Sequence, residues 1–262
     1  MSTPKLDYLE TEEKLKVRIH AHTAYADLKL EDWLLRWLGD CQGQRLLEIG
    51  CGDGNFFSTY EKALGPRGEI IGFDINEELL NRANAVSQEL DIQTKIFHWD
   101  YDHHPFPLSD GRVDILIAPF SAYYTTDVKQ WLDESLRVLT QGGRLLLLGP
   151  TKDNAKELYQ LNEMVTGVRS VQETDETTVK LEREFLPDLE ERLGDRVTKR
   201  ILDRQIIFPS SEELARYYLA TWLFEKTRDS LEKPVDYHDA VQASEKTNLR
   251  LNKQIICIEA TK

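Results

Sequence analysis

The chain predicts an α/β fold built on a doubly wound parallel sheet, and three observations predict it. First, Leu46-Leu47-Glu48-Ile49 is a short apolar run that ends against glycines at alternate positions, Gly50, Gly52 and Gly54. Such a run suits a strand buried on both faces. Second, Glu69-Ile70-Ile71-Gly72-Phe73-Asp74 is another apolar run closing in an acid, 24 positions after Gly50, the separation of a strand-turn-helix-strand unit. Third, strand-like and helix-like stretches alternate from Gln44 to Leu148, which implies a parallel sheet covered on both faces. In such a sheet the ligand belongs at the carboxyl ends of the strands, where the winding reverses.

The elements follow in order. Residues 8 to 38 read as helix in two pieces, the second started by Asp32 with Leu34, Leu35 and Leu38 on an apolar face. Helices are expected at Asn55 to Leu64, Glu77 to Leu90 and Val128 to Leu139, with Asn76 as N-cap of the second. Gly65-Pro66-Arg67-Gly68 is a turn between helix and strand. After Gly149-Pro150 the pattern changes. Residues 152 to 194 are charged and helix-prone, broken near Gly167 and Pro187; Ile201 to Phe208 reads as a strand stopped by Pro209; Ser210 starts a helix running through Leu214 to Phe224; Arg250 to Glu259 reads as the closing strand.

Composition narrows the function classes. The chain has 262 residues, 40% hydrophobic and 30% charged, enough for one sizeable core. No apolar run approaches the ~20 residues needed to span a membrane, and Met1 to Glu10 has no signal-peptide pattern. With 33 basic and 46 acidic side chains the net charge is −13, which argues against nucleic acid as a substrate, because such binding rests on phosphate neutralisation. Cys41, Cys51 and Cys257 are spaced like neither a disulfide framework nor a zinc site, so no metal and a reducing cytoplasm are expected.

The glycine turn reads as a place where backbone approaches a ligand closely. Its G-x-G-x-G spacing departs from the G-x-G-x-x-G turn of nicotinamide and flavin enzymes, which disfavours a nicotinamide-dependent oxidoreductase. A carboxylate at Asp74 can accept hydrogen bonds from both hydroxyls of a ribose and repels a 2′-phosphate. Downstream stand His98-Trp99-Asp100-Tyr101, then Pro105-Phe106-Pro107 leading to Val113-Asp114-Ile115-Leu116-Ile117-Ala118, then Leu136 to Leu148 with Gly142-Gly143 inside it. In order, these five motifs cover roughly residues 44 to 150. They strongly resemble the class I S-adenosylmethionine-dependent methyltransferases, of the small-molecule, type 11/25-like kind. Val113 stands where that family usually has Phe.

The resemblance implies a seven-stranded, Rossmann-like sheet with a helical lid inserted after strand five. It implies an N-terminal helical cap over 1–40, an S-adenosylmethionine-binding core over 41–150, and lid plus closing strands over 151–262. It also implies roles. Gly50, Cys51, Gly52 and Gly54 would wrap the amino-acid tail of S-adenosylmethionine, with Glu48 beneath its methionine end. Asp74 would hold the ribose with Ile75 beside it. Asp100 would hold the adenine amino group, with Tyr101 flanking the ring. The Ala118 region would offer a backbone carbonyl to the methionine amino group, and Tyr25 and Arg18 would close over its carboxylate.

Methyl transfer from a sulfonium is an in-line displacement with a neutral leaving group, so the enzyme mainly brings nucleophile and methyl together away from water. Catalytic residues are therefore harder to read than cofactor residues. Tyr123 and Tyr124 follow the fourth strand, where the family places substrate-facing groups; the competing reading is one packed ring and one surface ring. His104, beside His103 in the loop after Asp100, is a candidate general base because an imidazole titrates near neutral pH. No partner spacing singles it out among the six histidines. The expected activity is methyl transfer from S-adenosylmethionine to an oxygen, nitrogen or carbon of a small molecule, by a monomer or homodimer that binds neither nucleic acid nor membrane. The alternatives are an RNA- or protein-directed methyltransferase and a cofactor-binding regulatory member without catalysis.

Overall fold

The computed structural model describes residues 11–169, 179–228, 231 and 234–262. The expected start of the first helix at Tyr8, the reading of Met1 to Glu10 and residues 170–178 of the helix-prone segment lie outside the described residues. The elements are α1 (Glu12–Ala24), α2 (Leu30–Leu38), β1 (Arg45–Ile49), α3 (Phe57–Leu64), β2 (Glu69–Asp74), α4 (Glu77–Ser87), β3 (Gln93–His98), β4 (Val113–Pro119), α5 (Val128–Val138) and β5 (Leu139–Pro150). They continue with α6 (Lys156–Thr166), α7 (Leu186–Leu193), β6 (Val197–Ile207), α8 (Ser211–Leu219), α9 (Trp222–Arg228), α10 (Tyr237–Ser244) and β7 (Arg250–Thr261).

The seven strands lie in the order β3-β2-β1-β4-β5-β7-β6. β1 pairs in parallel with both β2 and β4, and β7 runs antiparallel to β5. The winding therefore reverses between β1 and β4, the place where open α/β sheets bind ligands. Strand six is Val197–Ile207 at the sheet's edge, and the closing strand inserts between it and β5. The period-two alternation of strands sorts side chains to two faces. Leu47, Ile49, Ile71 and Phe73 share one core with Trp131 and Leu132 of α5. Leu46, Ile70 and Ile115 share another with Leu34 of α2, Tyr60 of α3 and Leu80 of α4. At the start of β1 the Arg45 guanidinium forks onto Asp114 of β4, with both N···O distances 2.9 Å. That fork holds the Asp114 carboxyl below the usual carboxylate range.

The chain divides into two compact units. The sheet-bearing unit takes residues 30–154, 179–203 and 254–262 of the described chain; the helical unit takes 11–29, 155–169 and the described part of 204–253. These divisions differ from the expected boundaries at 40 and 150. Leu30, Leu34 and Leu38 of α2 pack into the sheet unit, and Arg144 donates to the carbonyls of Trp37 and Leu38 at the C-terminus of α2. The expected lid is likewise divided, because Leu181, Phe185, Leu186 and Leu189 complete the core beneath α5. The helical unit has its own core, in which Leu158 and Leu161 of α6 meet Ile206, Phe208, Leu214 and Tyr218.

Most elements fall where expected, with shifted ends. Asn76 caps α4 by accepting from the N–H groups of Glu78 and Leu79. Gly167, at φ 70°, ends α6. Pro187 does not end the helical run: residues 179–193 are helical throughout, with a π-helical turn over Leu181–Phe185 directly before the segment that carries the proline. The expected Gly-Gly turn is an irregularity inside β5, where Gly142 has φ 75° and the pairing with β4 jumps from Leu139 to Arg144. The helix expected through Phe224 is two helices, α8 and α9, joined at Ala220 and Thr221. Among the described residues no helix is long and apolar enough to cross a membrane.

Candidate active site at the carboxyl ends of the strands

The turn after β1 is made possible by its glycines. Gly50, Gly52 and Gly54 have φ of 75°, 54° and 80°, a region costly for any residue with a Cβ. The N–H groups of Gly50 and Cys51 both donate to the Phe73 carbonyl, at 2.8 and 3.0 Å. This seats the turn on the end of β2. A Cβ at Gly50 would meet that of Ser121 at 2.3 Å, and one at Gly54 would meet the Phe57 ring at 3.0 Å. At Gly52 nothing lies within 4 Å of that position. The outer two glycines are thus needed for close packing, whereas Gly52 borders open space.

Asp74, at the end of β2, is bound to that turn. Its Oδ2 accepts from the Gly52 N–H at 2.8 Å and its Oδ1 from the Asn76 N–H at 2.9 Å. Burial raises its pKa, while these backbone donors lower it. The next residue, Ile75, is 57% exposed, so an apolar side chain stands at the rim beside the carboxylate. The Ile75 carbonyl contacts His98 Nε2 at 2.9 Å.

Glu48 is fully buried within β1. Its Oε1 accepts from the Tyr60 hydroxyl at 3.1 Å, while Oε2 is buried with no hydrogen-bond partner among the described residues. Desolvation pushes its carboxyl well above the usual range; Asp74 and Asp53 add to the rise, against the Tyr60 hydrogen bond. Burial, with the same three carboxyl groups contributing, also pushes up the buried Cys51 thiol. The carboxylates of Asp53 and Asp74 thus face the turn, a setting that favours a cationic ligand.

Ser121 joins the neighbouring strand ends. Its Oγ donates to the Ile49 carbonyl, directly before the glycine turn, and its own carbonyl accepts from the Tyr101 hydroxyl at 3.2 Å and the Tyr124 N–H at 3.0 Å. Phe120, just before it, has φ 57°, a left-handed conformation rare for an aromatic residue and of a kind that gathers at functional sites. Ala118 is buried in β4 in register with Leu147.

The structure brings together Glu48, Gly50, Cys51, Gly52, Gly54 and Asp74, with Tyr101 and Tyr124 joined to them through Ser121. Asp100 is half-buried, and its Oδ1 accepts from the Asp102 N–H at 3.0 Å, a local turn that shapes its own loop. Tyr123 is packed at 7% exposure and Tyr124 is 44% exposed, with ring centroids 4.6 Å apart. His104 stacks on Phe106, with ring centroids 5.6 Å apart; its neighbours are Phe106 and Glu134. Tyr25 belongs to the helical unit, where its hydroxyl donates to Glu213 at 3.3 Å. Arg18 lies on α1 in the same unit.

Sequence reasoning missed Ser121, Tyr60 and Asp102. Asp102 accepts from the Thr126 N–H at 3.0 Å and from the Thr125 and Thr126 hydroxyls, and so ties the loop after β3 to the loop after β4. A small polar residue two positions after the fourth strand was the available signal for Ser121. Tyr60 and Asp102 carry no motif, and only their partners reveal them. Among the described residues no group of three His, Cys, Asp or Glu side chains could hold a metal ion.

A family model described as a methyltransferase domain matches residues 41–201. An uncharacterised 37.1 kDa protein in transposon Tn4556 of Streptomyces fradiae is 33% identical over 113 residues, 43% of this chain and 32% of that protein. The ubiquinone/menaquinone biosynthesis C-methyltransferase UbiE of Pasteurella multocida is 30% identical over 131 residues, 47% of this chain and 49% of that protein. The chain thus spans half or less of the length of these curated relatives. The crystal structure of the YcgJ protein from Bacillus subtilis is similar in fold, with a TM-score of 0.56 and 17% identity over 88% of this chain and 97% of that one.

Proposed function

The chain belongs to the methyltransferase-domain family, that of the class I S-adenosylmethionine-dependent methyltransferases, and we propose that it transfers a methyl group from S-adenosylmethionine to a small molecule. The observation that carries the reading is the pairing of Gly52 with Asp74. It sets a carboxylate and a side-chain-free stretch of backbone side by side at the reversal of the winding.

The residues present fit that cofactor. The open space at Gly52, the orphaned buried Oε2 of Glu48 and the exposed Ile75 lie on one turn and its neighbouring strand end. Their chemistry suits, respectively, close approach of backbone, a buried polar partner for an ammonium group, and an apolar seat for a purine. When bound, S-adenosylmethionine supplies a methyl group on a positively charged sulfur. Asp74 would take the ribose hydroxyls with its remaining lone pairs, and Tyr101 and Asp100 would border the adenine. Gly50, Cys51 and Gly54 would hold the turn's shape, and the Ala118 end of β4 would offer backbone to the amino group. Asp53 and Asp74 favour a positive charge there, and a bound cation would in turn favour the ionised form of Glu48.

Of the three catalytic candidates, Tyr124 carries the proposal, because its ring is exposed and its backbone is held through Ser121 to Tyr101. Tyr123 would hold it from the core side. A small acceptor is supported by the name of the relative acting in quinone biosynthesis and by the net charge of −13. The test is incubation with isotope-labelled S-adenosylmethionine and a pool of small metabolites, followed by mass spectrometry. One metabolite should gain a single labelled methyl, and the gain should fall in a Tyr124→Phe variant; label appearing only in added RNA or protein would contradict the proposal.

A further inference from the structure

Tyr124, the exposed tyrosine proposed to act in methyl transfer, sits on a short 3₁₀ turn, Ala122–Tyr124, that follows β4. Surface turns of this kind are mobile unless other groups hold them. Transfer from a sulfonium needs alignment, and a misplacement of about 1 Å costs about a hundredfold in rate. Whatever fixes the turn therefore bears on the chemistry.

The turn is held at both ends. Before it, the Ser121 carbonyl accepts from the Tyr101 hydroxyl at 3.2 Å. After it, Thr125 is fully buried, and its carbonyl accepts from Nζ of Lys180 at 2.8 Å. The Thr125 hydroxyl donates to Asp102, in the loop after β3. An ammonium and a carboxylate, from two different parts of the chain, thus grip the residue that follows Tyr124. Hydrogen bonds with one charged partner are about twice as strong as neutral ones.

The residue after Lys180 supports the ring. A Cβ on Gly149, near the end of β5, would meet Leu181 Cδ1 at 2.6 Å and the Tyr123 ring at 3.0 Å. Leu181 and Tyr123 therefore close over the same bare stretch of backbone, and the Tyr123 ring centroid lies 4.6 Å from that of Tyr124. Lys180 and Leu181 stand where the helical run over 179–193 widens into its π turn, the Leu186 N–H reaching back to the Leu181 carbonyl. Single π turns within α-helices are frequent at functional sites. All of these residues belong to the sheet-bearing unit.

We propose that Lys180 and Leu181 are positioning residues for methyl transfer: Lys180 fixes the backbone that follows Tyr124, Leu181 backs the Tyr123 ring behind it, and together they set the Tyr124 ring toward the acceptor. Given the methyl-transfer reading above, on which this rests, a segment outside all five sequence motifs helps to shape the acceptor side.

The test uses the full chain with meta-fluorotyrosine in place of its ten tyrosines. Fluorine NMR follows the Tyr124 line, assigned with Tyr124→Phe. On the ordinary chain, saturating isotope-labelled S-adenosylmethionine and a pool of small metabolites report turnover, and calorimetry with S-adenosylhomocysteine reports cofactor affinity. In Lys180→Met the Tyr124 line should move or split and turnover should fall about tenfold or more, with cofactor affinity within about threefold of the parent. Lys180→Arg keeps a charged donor and should return the line and bring turnover to within about threefold of the parent. Gly149→Ala presses on Leu181 and Tyr123 and should also move the line, which covers the case of a Lys180→Met chain that does not fold. A Tyr124 line unmoved in the folded variants would overturn the proposal, as would a Lys180→Met chain with parental turnover. So would a loss of cofactor affinity matching the loss of turnover, because the effect would then lie at the glycine turn. A parent chain that transfers no label would instead sink the methyl-transfer reading, while the Tyr124 line still decides whether Lys180 and Leu181 hold the ring.

Discussion

Ser121 occupies the place a side chain at Gly50 would need: its Cβ lies 2.3 Å from the position of a Cβ on Gly50. The end of β4 and the turn after β1 are thus packed backbone against side chain, at the point where the winding reverses. Gly52, two residues on, also has a positive φ but open space instead.

That contrast separates folding from binding. Gly50→Ala adds a steric clash to a left-handed backbone and should cost about 3 kcal/mol or more of stability. Gly52→Ala meets no atom and should cost only about 1–2 kcal/mol, the backbone term. Its methyl group instead fills the space proposed for the cofactor. Thermal or urea unfolding should therefore rank Gly50→Ala as the less stable, while calorimetry should find S-adenosylhomocysteine affinity reduced in the folded Gly52→Ala protein.

Ser121→Ala removes the donor to the Ile49 carbonyl and leaves the chain direction unchanged. The loss of one buried hydrogen bond should cost about 1–2 kcal/mol. Because that bond aligns the turn with the loop bearing Tyr124, the variant's S-adenosylhomocysteine affinity should also fall, and Ser121→Cys, which keeps the size, should restore part of it. Equal affinity in all three proteins would reduce Ser121 to a packing residue.

Glu48 makes stability depend on pH. Its folded pKa is raised, so the native state keeps a proton that the unfolded chain releases above about pH 4.3. Stability contributed by that proton is fully present below that pH and declines as pH rises toward the folded pKa. Glu48→Gln cannot show this decline. The difference in melting temperature, variant minus parent, should therefore grow from pH 5 to pH 8, corresponding to about 1–3 kcal/mol. A difference independent of pH would mean that Glu48 is ionised in the fold.

Much of the sheet was legible, for a physical reason. Strands such as Leu46–Ile49 and Ile115–Ala118 are buried on both faces, so the sequence must be continuously apolar there, and glycine must follow where the backbone turns left-handed. Asp74 was readable because it closes such a run. The order of the last two strands was not, since β6 is an edge strand with a mostly exposed pattern and nothing local distinguishes an edge from a centre. Nor was the division of helices between the two units. Phe185 and Leu189 fit any amphipathic helix, and only the tertiary partners Trp131 and Leu132 decide which core they enter. Within the site, Tyr124 and Tyr123 read alike as neighbours, and burial alone tells them apart. Ser121 acts by hydrogen bonds to residues far away in sequence, which no spacing records.

The central claim is that Asp74, held by the Gly52 and Asn76 amides, grips the ribose of S-adenosylmethionine. Isothermal titration of S-adenosylhomocysteine into the parent chain and Asp74→Asn tests it most directly, with circular dichroism to confirm that both are folded. The parent should bind with one-to-one stoichiometry and the variant at least tenfold more weakly; a parent that does not bind the nucleoside, or a folded variant that binds it equally well, would contradict the claim.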